Sequence, residues 1–218
     1  MPTRGVIFDL DGVIVDSSMF HFGAWQRWAR KIGIIEEVDE AWFREHHGKR
    51  NDAIITATLG PLPETELEAH AVRKEEYYRK LARGKLEPLP GVAKFVEALR
   101  RDEWRLAIGT STPRENLEMV LAEMPFGGAF AATVCGPEVE HGKPAPDIFL
   151  RAAELLELPP ERCIVVEDAP SGVAAAHAGA FACLAVATTR PRELLSEAEL
   201  LLDSLVEATP GAVAGLLR

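Results

Sequence analysis

The stretch VIFDLDGVIVDSSMFHFGAW, residues 6–25, decides how the rest of the chain is interpreted. Its first three residues are apolar, and a short apolar run ended by a polar residue is typical of a buried strand in a parallel sheet. Asp9 then lies at the carboxyl end of that strand, and Gly12 bends the chain soon afterwards. Because side chains alternate along a strand, Asp9 and Asp11 share a side only if the extended backbone continues between them.

The composition is that of an acidic globular protein. The chain has 218 residues, of which 47% are hydrophobic and 27% charged, and its formal net charge is −10. Nucleic acids and anionic membranes bind clustered positive charge, so we expect neither as a partner. The three cysteines are widely spaced in apolar or small-residue surroundings, which favours reduced core residues over metal ligands or nucleophiles. No signal-peptide or membrane-spanning pattern is found, and the expected location is the cytoplasm.

The hydrophobic spacing changes along the chain. Residues 17–83 show apolar positions three and four apart, which predicts helices throughout, and the last helix of this block has acids first and bases last. From Gly91 onward, helical segments alternate with short apolar strands. The four predicted strands are RLAIG, ATVCG, RCIVVED and FACLAV. Alternation of this kind predicts an α/β fold with a parallel sheet covered on both faces.

The position of the helical block predicts two domains. Only the first strand precedes the block, so we expect a discontinuous α/β core from residues 1–15 and 87–218 and an inserted all-helical cap from 16–86. Ligands of such sheets bind outside the carboxyl ends of the strands. A cap inserted directly after the first strand is expected at that edge, where it can close on a ligand.

Polar side chains follow three of the predicted strands, and one lysine lies on a loop between two of them. They are Asp9 and Asp11, Thr110, Ser111 and Thr112, Lys143, and Glu167 and Asp168. Crowded carboxylates repel one another and need a cation, and oxygen ligands favour a hard one such as Mg²⁺. Taken singly, each residue has a structural alternative as a turn residue, a helix cap or a surface charge. Their occurrence together favours a catalytic site.

The residue types predict phosphoryl transfer. A carboxylate can attack phosphorus and form an aspartyl-phosphate, and Asp9 is the candidate nucleophile. Asp11 is the candidate general acid and base, which protonates the leaving oxygen and then deprotonates the attacking water. Lys143 and Thr110 are expected to orient and neutralise the phosphoryl oxygens.

Four motifs in this order resemble the haloacid dehalogenase superfamily of phosphotransferases. They are DLDGV at 9–13, TST at 110–112, GKPAPD at 142–147 and VVEDAPSG at 165–172. The resemblance implies a Rossmann-like core with a small helical cap inserted after the first motif. It also implies that Mg²⁺ is held by Asp9, the backbone carbonyl of Asp11 and Asp168, with help from Glu167.

Within that superfamily the chain resembles the β-phosphoglucomutase-like or phosphoglycolate-phosphatase-like branch. His21 matches a cap or hinge histidine that helps to gate the acid/base residue; simple packing at the root of the cap helix is the alternative. Asn51 stands where the mutase has an arginine for the distal phosphate of its bisphosphate intermediate. Lys74 falls near a cap lysine that reaches substrate, but an ordinary charged helix face is the favoured interpretation. With Ser111 and Thr112, these three residues are the candidate substrate-binding set.

The predicted function is that of a Mg²⁺-dependent phosphatase. Its expected substrate, and its only expected partner, is a small phosphorylated metabolite such as a sugar phosphate, and the protein is expected to be a monomer. A β-phosphoglucomutase-like isomerase is the alternative, which His21 favours and Asn51 opposes. A dehalogenase needs neither a second acid at Asp11 nor a metal, and a non-catalytic module would be expected to have lost the nucleophile or Lys143.

Overall fold

The computed structural model describes residues 3–34, 38–46 and 48–217, and these residues form two compact units. One unit comprises Met1–Asp16 and Glu87–Arg218, and the other Ser17–Leu86. The division agrees with the change in hydrophobic spacing along the sequence. That each unit is an independent domain stays a prediction.

The first unit is built on a six-stranded parallel sheet. Its strands are β1 (Gly5–Phe8), β2 (Arg105–Thr110), β3 (Ala132–Cys135), β4 (Cys163–Glu167), β5 (Ala182–Val186) and β6 (Leu200–Leu202). The order across the sheet is β3-β2-β1-β4-β5-β6. Strand β1 is therefore central, and Val6 pairs with Leu106 on one side and Ile164 on the other. The predicted α/β class is confirmed, but the three-residue strand β6 was not predicted.

Most helices of this unit lie between strands along the chain, and the last one follows β6. They are α5 (Val92–Arg101), α6 (Arg114–Glu123), α7 (Asp147–Leu155), α8 (Pro170–Ala178) and α9 (Pro210–Ala214). Strands β1, β2, β4 and β5 are nearly or fully buried, because a parallel sheet is covered on both faces. The three cysteines are buried and free, as predicted. Burial raises the pKa of the Cys163 thiol to about 12, which does not suit a nucleophile.

The second unit is all helical in the described residues, as its spacing predicts. It consists of α1 (Ser18–Ile32), α2 (Glu40–His46), α3 (Asn51–Leu59) and α4 (Glu64–Ala82). Its core contains Trp25, Trp28, Ile54 and Ile55. Helix α4 has acidic residues in its first turn and basic residues in its last, which complements the helix dipole. Among the described helices, none combines the length and the apolar composition that crossing a bilayer requires.

Candidate active site

The candidate site lies in the α/β unit, where β1 and its two neighbours end. Asp9 directly follows β1, is 7% exposed, and its backbone N–H donates to the carbonyl of Val166 on β4 at 2.9 Å. The sheet pairing thus extends to the residue that carries the first carboxylate. Glu167 is the last residue of β4, and Asp168 follows it. Adjacent parallel strands therefore bring acids that are far apart in the sequence to the same edge of the sheet.

Lys143 joins two of these acids. Its ammonium donates to Asp9 Oδ1 at 2.5 Å and to Glu167 Oε1 at 2.6 Å, and it lies 4.7 Å from the ring centroid of Phe149. Burial alone would lower the pKa of Lys143, but the two carboxylates outweigh burial and raise it. Lys143 is therefore a permanent positive charge between Asp9 and Glu167, and the surface alternative for this lysine is wrong.

Glu167 also organises the loop that follows β4. Its Oε2 accepts hydrogen bonds from the backbone N–H groups of Asp168 and Ala169 at 2.8 and 3.0 Å, just before helix α8. A Cβ on Gly172 would overlap the Glu167 carboxyl group, so the helix can approach only because this position has no side chain. Both oxygens of Glu167 thus have protein donors, one from Lys143 and the other from the backbone.

The acids form a cluster whose oxygens suit a hard cation. Asp9, Glu167 and Asp168 each offer a carboxylate oxygen, and these oxygens lie within 4.8 Å of one another. Burial raises the pKa of Asp9 to about 7, with Glu167 and Asp11 adding to the rise and Lys143 opposing it. The pKa of Asp168 is raised by its burial and by the charges of Glu167 and Asp9. An oxygen-only donor set with this excess of negative charge fits Mg²⁺.

The hydroxyl residues at the end of β2 and just after it lie beside the first motif, which Thr112 contacts. Thr112 Oγ1 donates to Asp11 Oδ2 at 2.7 Å, and the Thr112 N–H donates to Thr110 Oγ1 at 3.2 Å. Helix α6 begins after Pro113 without a side-chain cap, so helix capping does not explain these hydroxyls. Ser111 lies between the two threonines and is partly exposed. The roles assigned to Asp11, Thr110, Ser111 and Thr112 stay predictions.

The other three candidates lie together in the helical unit. Lys74 Nζ contacts His21 Nδ1 at 2.8 Å and donates to Glu75 Oε1 at 2.7 Å, and Asn51 Nδ2 donates to the same Glu75 oxygen at 2.7 Å. Lys74 is only 3% exposed, so the expectation of an ordinary charged helix face is wrong for this residue. His21 also stacks on Tyr78, with ring centroids 4.0 Å apart. Its gating role stays a prediction.

Sequence reasoning missed three contributors. Glu75 was not singled out, because the sequence of its helix contains many charged residues; it accepts hydrogen bonds from both Lys74 and Asn51. Thr188 and Thr189 follow β5; the Thr188 hydroxyl donates to the Gly12 carbonyl and the Thr189 hydroxyl to Asp168 Oδ2. For the two threonines a signal was available, because polar residues soon after an apolar strand are the pattern that identified the other candidate site residues.

The chain is similar to known proteins over most of its length. The family model described as haloacid dehalogenase-like hydrolase matches residues 3–179. Hexitol phosphatase A of Escherichia coli strain K12 is 32% identical over 211 residues, which are 96% of this chain and 94% of that protein. Beta-phosphoglucomutase of Bacillus subtilis strain 168 is 32% identical over 193 residues, which are 82% of this chain and 81% of that protein.

A solved structure supports the fold. The crystal structure of β-phosphoglucomutase from Clostridium difficile matches with a TM-score of 0.86 and 24% identity. The match covers 99% of this chain and 97% of the other. At this identity, the likeness is evidence for the architecture alone.

Proposed function

This chain belongs to the haloacid dehalogenase-like hydrolase family, and from that premise we propose that it is a Mg²⁺-dependent phosphatase acting on a small phosphorylated metabolite. The observation that carries the proposal is the Asp9 carboxylate, which is buried beside Lys143 and two further acids at adjacent strand ends. A sugar phosphate or a hexitol phosphate is the proposed substrate class. The names of the two relatives, a hexitol phosphatase and a phosphoglucomutase, support that class.

The proposed reaction has two steps that share one nucleophile. In the first, an Asp9 carboxylate oxygen attacks phosphorus, the ester P–O bond breaks, and Asp11 gives its proton to the leaving alkoxide. In the second, Asp11 takes a proton from water as the water oxygen attacks phosphorus. The bond between phosphorus and Asp9 then breaks and releases inorganic phosphate. The 2.7 Å hydrogen bond from Thr112 supports this assignment, because it orients the Asp11 carboxyl group.

The chain's own residues supply binding and charge balance. Lys143 is the proposed partner of the transferring phosphoryl oxygens, because its ammonium already contacts Asp9. Thr110 is proposed to donate its hydroxyl to the same group, with Ser111 beside it. Asp9, Asp168 and the Asp11 carbonyl would hold Mg²⁺, and Glu167 would support them through Lys143 and the backbone. When bound, the cation would neutralise charge on the phosphoryl group.

We propose a substrate with a single phosphate, because of the charges in the helical unit. Lys74 lies in the buried polar cluster of that unit, and Glu75 already pairs with it at 2.7 Å. Asn51 is neutral and donates to the same carboxylate. A mutase must hold two phosphates during its cycle, and a neutral Asn51 beside a lysine that is already paired with Glu75 leaves little positive charge for a second dianion.

A β-phosphoglucomutase-like isomerase is the second candidate. The 32% identity to a beta-phosphoglucomutase over 82% of this chain favours it, and so does His21, which the resemblance matches to a hinge or cap histidine. The two functions differ in the acceptor of the phosphoryl group. Water accepts it in the phosphatase, and a sugar hydroxyl accepts it in the mutase.

A product assay separates the two candidates. The purified protein is incubated with Mg²⁺ and a panel of hexose and hexitol phosphates that includes β-glucose 1-phosphate, and inorganic phosphate and glucose 6-phosphate are followed in parallel. We expect phosphate release that EDTA abolishes and added Mg²⁺ restores. Asp9→Asn should abolish release and keep the fold, whereas Asp203→Asn, an exposed acid paired with Arg192, should release phosphate normally. Glucose 6-phosphate without matching phosphate release would favour the mutase, and metal-independent turnover would contradict the proposed site.

A further inference from the structure

The segment after β5 contacts both loops that carry the site acids. Thr188 donates its hydroxyl to the carbonyl of Gly12, in the turn within the first motif. The next residue, Thr189, donates its hydroxyl to Oδ2 of Asp168, at the end of β4. The backbone of this segment is itself fixed, because the N–H of Ala187 donates to the carbonyl of Leu202 on β6 at 2.9 Å.

The space around this contact is closely filled. Gly12 has a φ of +87°, and a Cβ on it would collide with the Asp168 carboxyl group and lie 2.9 Å from Thr189 Cγ2. Asp168 is 4% exposed, so water can hardly reach its carboxyl group to replace the hydrogen bond from Thr189. A buried carboxylate oxygen that loses its hydrogen-bond donor is left unsatisfied, so the carboxyl group is no longer held in its original orientation.

We propose that Thr189 is a positioning residue that fixes the orientation of the Asp168 carboxylate for cation binding. Thr188 anchors the segment that carries Thr189 to the Gly12 turn. The inference rests on the proposed function, because it concerns the same metal site. Residues that hydrogen-bond to metal ligands orient them, and their removal commonly weakens metal affinity by roughly 10- to 100-fold. In this chain that support comes from the segment after β5, which supplies none of the predicted site residues.

The test measures cation binding without substrate. Mn²⁺ replaces Mg²⁺ as a hard, oxygen-seeking ion whose free form gives a paramagnetic resonance signal. Thr189→Val keeps the shape of the side chain and removes the hydroxyl, and we expect its Mn²⁺ affinity to fall by about tenfold or more. Thr189→Ser keeps the hydroxyl and should bind within about threefold of wild type. Thr58→Val is the matched control, because the Thr58 hydroxyl bonds a carbonyl within helix α3 at 2.8 Å.

Each outcome has a distinct meaning. If Thr189→Val binds Mn²⁺ like wild type while Asp168→Asn does not bind, the inference is overturned and the proposed metal site stands. If wild type and Asp168→Asn bind equally weakly, the proposed metal-dependent function fails, and the inference fails with it. If Thr189→Val does not fold, the comparison of Thr189→Ala with Thr189→Ser gives the same answer, because equal affinities in that pair would remove any role for the hydroxyl.

Discussion

Replacing Glu75 with glutamine should destabilise the helical unit more than the same replacement at any other glutamate of helix α4. Glu75 is buried and accepts from Lys74 and Asn51 at 2.7 Å each. Glutamine keeps the shape and an acceptor oxygen but removes the negative charge. Lys74, which is equally buried, would then be left without its counter-ion.

The pKa of Glu75 gives the expected magnitude. Burial alone would raise that pKa, but the charges of Lys74 and His21 outweigh burial and bring it to about 2, against an ordinary value of 4.5. One pKa unit corresponds to about 1.4 kcal/mol, so the ionised carboxylate contributes roughly 3 kcal/mol to the free energy of unfolding. A folded-state pKa that is lowered stabilises the protein above the unfolded-state value. The contribution is therefore complete at pH 7 and decreases as the pH falls from about 4.5 towards 2.

Urea denaturation followed by tryptophan fluorescence measures this effect. Trp25, Trp28 and Trp42 lie in the helical unit, and the fourth tryptophan lies in the other unit, so the signal reports mainly on the helices. Glu75→Gln should lose about 3 kcal/mol at pH 7, as expected when one partner of a buried pair is removed. Its neighbour Glu76 is exposed, and Glu76→Gln is the matched control.

Two further results complete the test of Glu75. The double variant Lys74→Met/Glu75→Gln should be more stable than Glu75→Gln, because it leaves no unpaired buried charge. The stability gap between wild type and Glu75→Gln should narrow at pH 3. Equal losses for Glu75→Gln and Glu76→Gln, or a gap that does not depend on pH, would refute the reasoning.

Three more predictions concern the site and its specificity. Gly12→Ala should weaken Mn²⁺ binding, and its left-handed backbone should cost at least about 1 kcal/mol of stability, measured by urea denaturation. Gly33 has a φ of +85° and open space at its Cβ, so Gly33→Ala should show the backbone cost alone. Lys143→Met should lower kcat/KM for phosphate release at least about 100-fold, because it removes a preorganised donor; a loss below tenfold would contradict its assignment. Asn51→Arg should raise the ratio of glucose 6-phosphate to inorganic phosphate formed from β-glucose 1-phosphate, and an unchanged ratio would remove the argument drawn from this position.

The sequence predicts the α/β core well because its signals are local. Short apolar runs ending in acids or hydroxyls locate the carboxyl ends of β1, β2 and β4. A parallel sheet then requires these ends to lie along one edge. Strand β6 was missed because three leucines between acids, in SEAELLLDSL, fit a helix as well as a strand.

The contacts that depend on tertiary packing were not predictable in this way. Lys74 and Glu75 are adjacent on a helix whose neighbouring residues are mostly charged, and such a pattern is typical of a solvated face. Their burial follows from packing against α1, which brings His21 to Lys74. Thr189 likewise reaches Asp168 only because β5 lies beside β4 in the sheet, and that order cannot be obtained from spacing.

The two buried polar clusters differ in charge balance, and this difference separates their roles. When ionised, Asp9, Glu167 and Asp168 carry three negative charges against the one positive charge of Lys143. The excess of two is unfavourable in a buried site: burial is the main cause of the raised pKa values of Asp9 and Asp168, and the neighbouring carboxylates add to the rise. A divalent cation would remove that excess. In the helical unit, Lys74 and Glu75 form a buried ion pair; burial would raise the pKa of Glu75, but the charges of Lys74 and His21 lower it. We therefore expect a bound cation to stabilise the first cluster, and we place the proposed phosphoryl transfer at Asp9, because in the second cluster Glu75 already provides a counter-charge for Lys74.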